Sequence, residues 1–243
     1  MTTWLFAGPS LWPAPPRLPA GFVLQPPVAA GDVYRALDSG ASRLAIVDGF
    51  FGDRPSVRHK EILCAVDAGV PVLGAASMGA LRAAELNTFG MIGIGAVHHA
   101  YATGRLTRDA DVAVVHAPAE LGWQPLTVAL VDVLAELDRR CAVGRLRPAA
   151  ATALLEAARA IPFRCRTPER LAAELYRTAA EPEVALPQAW CRRSQKRRDA
   201  LALIRRLRAP TPAPPVRERT QTVFERVTRA GAARHEATAV QRL

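Results

Sequence analysis

The chain has 243 residues, of which 50% are hydrophobic and 22% are charged. This length and balance suit one folded domain with an appended segment. No apolar run reaches the ~18 residues that a membrane-spanning helix needs, and the first residues lack the basic start of a signal peptide. We therefore expect a cytoplasmic protein without a membrane segment.

The formal net charge of +10 is spread unevenly along the chain. Residues 1–120 hold 9 Lys and Arg against 10 Asp and Glu, whereas residues 121–243 hold 23 against 12. A basic C-terminal half suits an acidic partner or RNA. A coding bias toward arginine also explains it, because only Lys60 and Lys196 are lysine. The arginine run CRRSQKRR at 191–198 has no aromatic residues that would stack on bases, so we expect no nucleic-acid partner.

The residues that commonly bind metals do not form a recognisable site in the sequence. The cysteines lack any CxxC pair, which argues against both a zinc site and a disulfide framework. An HExxH pattern is absent, and the histidines have no metal-ligand spacing with an acidic residue. We therefore predict no metal and no cofactor. The residues considered are Cys64, Cys141, Cys165, Cys191, His98, His99 and His116.

Short apolar runs alternate with helical patterns through the first half of the chain. The predicted strands are 3–10, 22–28, 43–51 and 71–76, each bounded by Gly, Pro or Ser. Asp32 is expected to cap a short helix that ends at Gly40, and Ser56 is expected to begin a second helix. A third helix is predicted over 77–85, with Ser77 at its start. A strand-like run follows at 109–120. Helical patterns occupy 126–140, 152–160 and 169–176.

Strands and helices that alternate with such short connections predict an α/β fold. We expect an open, mostly parallel sheet with flanking helices, of Rossmann or flavodoxin type, plus a mainly helical C-terminal region. The predicted divisions are an α/β core at 1–125, a helical extension at 126–208, and a proline-rich linker with a basic tail at 209–243. Ligands of such sheets bind at the carboxyl ends of strands. Those ends are Gly8-Pro-Ser10, Asp48-Gly-Phe-Phe51 and Gly74-Ala-Ala-Ser77.

The stretch Ala75-Ala-Ser-Met-Gly79 has the form of a nucleophile elbow with alanine at its first glycine position. Such a turn needs small flanking residues because the neighbouring backbones lie close together. A serine there stands at a helix N-terminus, whose free N–H groups stabilise a developing oxyanion. The same position favours a serine that only caps the helix. The residues alone therefore leave Ser77 as either a nucleophile or a cap.

A nucleophilic serine needs a base, and SVRHKEIL at 56–63 offers candidates. His59 could approach Ser77 at the carboxyl edge of the sheet, with Asp48 orienting the imidazole. The alternatives are a surface histidine and a strand-end turn residue. Lys60 offers a Ser-Lys pair or an anion clamp. Arg82 either pairs with Glu85 one helical turn away or faces a carboxylate in the site.

Several distinctive strings, in order, resemble the core domain of TfuA-like proteins. They are Gly8-Pro-Ser10, IVDGFFGDRPSVRHKEIL at 46–63, GVPVLGAASMGALRAAEL at 69–86, FGMIGIG at 89–95, and the segment 101–115. The resemblance covers roughly residues 3–125. The C-terminal half does not carry the family's core pattern.

The resemblance implies an accessory role in the thioamidation of peptide backbones by YcaO enzymes. TfuA-like proteins are thought to recruit a ThiS-like sulfur carrier and to hydrolyse its C-terminal thiocarboxylate, which liberates sulfide for the YcaO enzyme. On this view Ser77 is the nucleophile, His59 the general base and Asp48 its orienting partner.

The same resemblance implies a set of substrate-binding groups. The backbone N–H groups of Met78 and Ser10, the latter in the turn that begins at Gly8, are the expected oxyanion donors. The side chain of Lys60 or Arg58 is expected to hold the thiocarboxylate charge. Arg82 is a further candidate for contact with the substrate.

Two other functions stay open at this stage. In the first, the chain is a non-catalytic adaptor that docks the carrier or the YcaO enzyme. In the second, the chain binds a nucleotide or phosphate. The turn at 74–77, however, lacks both the Gly-Lys-Ser/Thr ending of a Walker motif and the G-x-G-x-x-G motif of dinucleotide-binding proteins. The sequence does not predict the peptide substrate or an oligomeric state.

Overall fold

The computed structural model describes residues 2–52, 54–178 and 193–216. Its centre is a five-stranded sheet in which all strands run parallel, with the order β2-β1-β3-β4-β5. The predicted α/β fold with a parallel sheet is confirmed. The strands are β1 (Thr3–Phe6), β2 (Phe22–Gln25), β3 (Arg43–Ile46), β4 (Val72–Ala75) and β5 (Ile92–Ile94).

Eight α-helices are present in the described part of the chain. None of them combines the length and the apolar character needed to cross a membrane. The helices are α1 (Asp32–Asp38), α2 (His59–Asp67), α3 (Met78–Leu86), α4 (Ala96–Ala102), α5 (Leu130–Ala142), α6 (Pro148–Ala160), α7 (Pro168–Thr178) and α8 (Gln195–Arg206).

The strand order determines where a ligand can bind. It is the flavodoxin-type order, in which the chain changes direction across the sheet between β1 and β3. Loops leaving the carboxyl ends of these two strands diverge and leave a crevice between them. The turn after β1 and Asp48 after β3 border this crevice, as the sequence predicts.

The two faces of the sheet are covered by different helices. Successive side chains of a strand point to opposite faces. Leu44 and Ile46 of β3 therefore pack with residues of α1, α2 and α3, whereas Ala45 packs with Leu203 and Ile204 of α8. Helix α8 thus covers a face of the sheet and reaches the strand ends from that side.

Helices α5, α6 and α7 share an apolar cluster of their own, which includes Leu137, Leu154 and Leu171. The divisions predicted at residues 125 and 208 stay predictions, but the packing does not follow them. Helix α8 lies in the predicted extension and yet packs on the sheet. Thr211, in the predicted linker, is buried and accepts a hydrogen bond from the Arg43 guanidinium at 3.4 Å. The predicted basic tail beyond residue 216 lies outside the described residues.

Candidate functional site

Ser77 lies where β4 turns into α3. The preceding Ala76 has φ of 67°, a left-handed conformation that costs a residue with a Cβ roughly 1–2 kcal/mol. The Ser77 side chain is 8% exposed, and its hydroxyl donates a hydrogen bond to the Val112 carbonyl oxygen at 3.4 Å. It makes no capping hydrogen bond to the helix. The structure therefore does not use this hydroxyl as a helix cap.

Glycine is required on both sides of this turn because the backbones are in contact. A Cβ on Gly79 would collide with the carbonyl of Ile46, and a Cβ on Gly74 would collide with the carbonyl of Gly79. The first turn of α3 therefore presses directly on β3 and β4. This contact fixes the position of Ser77 relative to the sheet.

Lys196, in the first turn of α8, reaches the same carbonyl as Ser77. Its Nζ donates to the Val112 oxygen at 2.8 Å, and the residue is only 4% exposed. The Ser77 hydroxyl and the Lys196 amine donate to the same oxygen, so the distance from Lys196 Nζ to Ser77 Oγ is at most about 6 Å. The fold thus brings a buried amine within this distance of a buried hydroxyl, although the two residues lie 119 positions apart in the sequence.

Ser77 and Lys196 line a cavity of about 450 Å³ at the carboxyl ends of the strands. One wall is the loop after β3, where the Arg54 guanidinium lies 4.5 Å from the centre of the Phe50 ring. The opposite wall is the segment 112–120. The cavity is large enough for the end of a peptide chain, and both the hydroxyl and the amine border it.

Two backbone N–H groups beside Ser77 have no hydrogen-bond acceptor among the described residues. One belongs to Met78, at the first position of α3, and the other to Gly49. Val28 pairs with the backbone on either side of Gly49, so the N–H of Gly49 points away from Val28, toward the β4 side. Gly49 also lies directly against the Met78 side chain. Both residues line the cavity, and backbone N–H groups without an acceptor are the kind of donor that stabilises a developing oxyanion.

Asp48 lines the cavity too, but its carboxylate is engaged by the turn after β1. It accepts hydrogen bonds from the N–H groups of Gly8 and Ser10, each at 2.9 Å, and from the Ser10 hydroxyl at 2.6 Å. Asp48 is 3% exposed. These contacts hold the turn against β3. They also mean that the Ser10 N–H, the expected oxyanion donor, already donates to a carboxylate.

His59 is not close to the serine. Its Nε2 lies 2.8 Å from Glu85 Oε2, and its side chain is 48% exposed. Glu85 lies eight residues beyond Ser77 on α3, which corresponds to about 12 Å along the helix axis. The structure therefore does not assemble Ser77, His59 and Asp48 into a triad, because the imidazole is held at the opposite end of α3.

Three other predicted binding residues, Arg58, Lys60 and Arg82, are not among the residues that line the cavity. Arg82 pairs with Glu85 at 2.7 Å, which is one of the two alternatives that the sequence left open. Its Nε also donates to the Val57 carbonyl at 3.3 Å. Arg58 and Lys60 are exposed at the start of α2 and are not among the cavity residues. Among the predicted site residues, Ser77, Asp48 and Met78 line the cavity.

A carboxylate lies behind Lys196. Asp132 of α5 accepts a hydrogen bond from the Lys196 backbone N–H at 3.2 Å. Burial raises the pKa of Asp132 to about 6, and the charge of Lys196 limits the rise. Asp132 therefore ties the start of α8 to α5 and contributes to the position of the amine. Within residues 2–52, 54–178 and 193–216, no group of three or more His, Cys, Asp or Glu side chains could hold a metal ion.

The family model for TfuA-like proteins matches residues 48–167. This chain is a TfuA-like protein. No curated protein matches it. The matched range begins at Asp48 and includes Ser77 and the cavity wall at 112–120, so most of the site of this TfuA-like protein lies within its family region. Lys196 lies outside the match.

Sequence reasoning missed Lys196 and Gly49 as site residues. No local motif connects α8 with the Ser77 turn, because their contact depends on how α8 crosses the sheet. One compositional signal was present: the chain holds 32 Lys and Arg residues, of which only Lys60 and Lys196 are lysine. An ammonium can lose its proton and a guanidinium in practice cannot. A buried lysine in an arginine-rich chain is therefore a reasonable candidate for proton transfer.

Proposed function

We propose that this TfuA-like protein hydrolyses the C-terminal thiocarboxylate of a ThiS-like sulfur carrier and supplies the sulfide to a YcaO enzyme that thioamidates peptide backbones. The observation that carries the proposal is the convergence of Ser77 Oγ and Lys196 Nζ on the Val112 carbonyl beside the cavity. A serine paired with a lysine is one of the known solutions for acyl transfer. Membership in the TfuA-like family supports the choice of acyl group and of partners.

In the first step, Ser77 Oγ attacks the thiocarboxyl carbon. Lys196, once it has released its own proton to water, accepts the hydroxyl proton, for which the hydroxyl must rotate away from the Val112 carbonyl. The oxyanion of the tetrahedral intermediate accepts hydrogen bonds from the N–H groups of Met78 and Gly49. The C–S bond then breaks, and sulfur leaves as hydrosulfide with the proton that Lys196 returns. An ester between the carrier and Ser77 remains.

In the second step, water replaces the serine. Lys196 removes a proton from a water molecule that attacks the ester carbonyl, and the same two N–H groups stabilise the second oxyanion. The C–O bond to Ser77 breaks, and Lys196 returns the proton to the serine oxygen. The products are the carrier carboxylate and hydrosulfide, with one proton released, and no oxidant or reductant is needed.

In this proposal Lys196 replaces His59 as the base, and Asp48 has a positioning role. Asp48 holds the turn after β1 against the strand end through three hydrogen bonds. Asp132 holds the start of α8 through the Lys196 N–H. The charges required for hydrolysis therefore come from Lys196 and from backbone dipoles.

The test is single-turnover hydrolysis of a thiocarboxylated sulfur carrier, followed by intact mass and by sulfide detection. Wild type is expected to release one sulfide per carrier. Ser77→Ala should lose this activity and keep its affinity for the carrier, measured by calorimetry. Ser39→Ala, at an exposed site after α1, is the matched control and should react as wild type does.

Two outcomes contradict the proposal. If wild type binds the carrier and releases no sulfide, the chain is an adaptor. If Ser77→Ala hydrolyses the thiocarboxylate at the wild-type rate, another group is the nucleophile. A loss of both binding and hydrolysis in Ser77→Ala would contradict the specific role in chemistry as well.

A further inference from the structure

One wall of the cavity is an extended segment at 113–117, and one backbone edge of this segment is not paired with any described residue. On its outer side, the Val115 N–H donates to Thr127 Oγ1 at 2.8 Å, and the Ala117 N–H donates to the Gln124 carbonyl at 2.8 Å. Leu126 donates back to the Val115 carbonyl at 2.8 Å. This side of the segment is therefore occupied by residues 124–127.

No described residue pairs with the other side of the same segment. In an extended chain the N–H and C=O groups of alternate residues point in opposite directions. Val114 and His116 therefore direct their backbone groups away from 124–127. Neither N–H nor either carbonyl makes a hydrogen bond with a described residue. Both residues are partly exposed and line the cavity.

This free edge leads directly to the reactive groups. The carbonyl of Val112, two residues before Val114, accepts the hydrogen bonds of Ser77 and Lys196. Val112 ends a short 3-10 turn and has helical backbone angles, so the extended stretch begins after it and reaches His116 over about 10 Å. The edge is thus long enough to pair with about three residues of a bound peptide.

We propose that the C-terminal tail of the carrier binds as an added β-strand on this edge, with its backbone paired to Val114 and His116. The inference rests on the function proposed above, since that function places the reacting carbon at Ser77. The tail must then enter at His116 and end at Val112. It therefore runs antiparallel to the segment 112–116, with hydrogen bonds at every second residue of the tail.

The two ends of the edge offer different surroundings to a bound tail. At the His116 end, the His116 ring packs against the Trp123 ring with centroids 5.3 Å apart, and the Phe50 ring lies 6.1 Å from that of Trp123. A large apolar side chain of the tail meets this aromatic cluster. At the Val112 end Ser77 and Met78 border the cavity, and the reacting end of the tail lies against these two residues.

The probe is a synthetic peptide with the last eight residues of a ThiS-like carrier, ending in an ordinary carboxylate. Hydrogen exchange of the full-length protein is followed residue by residue by NMR, with and without the peptide. The amides of Val114 and His116 should exchange fast in the free protein and become protected by at least tenfold on binding. The amides of Val115 and Ala117 are internal controls, because their hydrogen bonds exist before the peptide binds.

A second measurement uses N-methylated peptides, which lose one hydrogen-bond donor at a time. N-methylation at the two alternate positions that face Val114 and His116 should weaken binding about tenfold, and at the intervening positions less than threefold. Binding without protection of Val114 and His116, or a uniform effect of N-methylation, overturns the inference. So does the absence of peptide binding while the thiocarboxylated carrier is still hydrolysed.

These results separate the two proposals. Protection of alternate amides by a peptide that carries no thiocarboxylate supports strand addition whether or not hydrolysis occurs. If protection is found and wild type releases no sulfide, the hydrolase proposal fails while the binding mode stands.

Discussion

Replacing Lys196 with methionine tests the proposed base directly. The substitution keeps an unbranched side chain in the buried space and removes the amine that donates to the Val112 carbonyl at 2.8 Å. A hydrogen bond to a charged group contributes about 1.5–3 kcal/mol. The buried thioether offsets part of that loss. We expect the free energy of unfolding to fall by about 1–2 kcal/mol, which leaves a domain of ordinary stability folded.

The effect on hydrolysis should be much larger. Positioned acid–base groups contribute about 10²–10⁴ in rate, which corresponds to about 3–5 kcal/mol of transition-state stabilisation. Lys196→Met should slow single-turnover hydrolysis of the thiocarboxylated carrier by this factor. The double variant with Ser77→Ala should be no slower than the slower single variant, because the two groups act as a unit. Arg198→Met removes an exposed charge from the same helix and should leave the rate unchanged.

Two results would refute this reasoning. The first is a rate for Lys196→Met within threefold of wild type. The second is recovery of the rate in Lys196→Arg, since a guanidinium keeps the positive charge and cannot accept a proton. Recovery would show that the site needs a charge near Val112 and takes its base from elsewhere.

Two further predictions concern stability. Gly79→Ala should lower the free energy of unfolding by at least about 3 kcal/mol, because the new Cβ meets the Ile46 carbonyl. Gly104→Ala, where φ is 73° and space is open, should cost only about 1 kcal/mol, and equal losses in urea titrations would contradict the argument. Burial raises the pKa of Glu61 from 4.5 to about 7, so the folded state binds its proton more tightly than the unfolded state. Unfolding free energy should therefore fall by about 3 kcal/mol as pH rises from about 4.5 to about 7. Glu61→Gln should lack this component, and an unchanged pH dependence would contradict it.

Four of the five strands could be predicted because each of them is a local signal. The sequence did not predict β5, and the strand-like run at 109–120 begins with a 3-10 turn over Asp109–Asp111 instead of a strand. The runs at 3–10, 22–28, 43–51 and 71–76 each contain one of the first four strands, bounded by glycine or proline. The start of α2 could not be predicted in the same way. Ser56 was expected to open α2, but its hydroxyl donates to the Phe50 carbonyl at 2.8 Å, and the helix begins at His59. A serine that can bond a nearby carbonyl does not need to cap a helix.

In the site, too, the residues next to strand ends could be predicted, and those that depend on contacts distant in sequence could not. Ser77, Met78 and Asp48 were found because strand ends of a parallel sheet meet at one edge. His59 was placed near them because α2 was expected to begin at that edge, and the sequence does not show that Glu85 holds its ring. The sequence also gave no sign that the 109–120 run uses only one of its backbone edges. That property depends on pairing with residues 124–127.

Helix α8 has one consequence for how activity arises during folding. It covers an apolar face of the sheet and also carries Lys196, so the proposed catalytic pair forms only when the last described helix docks on residues near the start of the chain. Contacts this distant in sequence form slowly, because a long loop must close before they contribute. In a refolding experiment, hydrolysis should therefore return with the docking of α8 rather than with the earlier formation of helices. A partly folded chain, with Ser77 in place and α8 undocked, would not release sulfide.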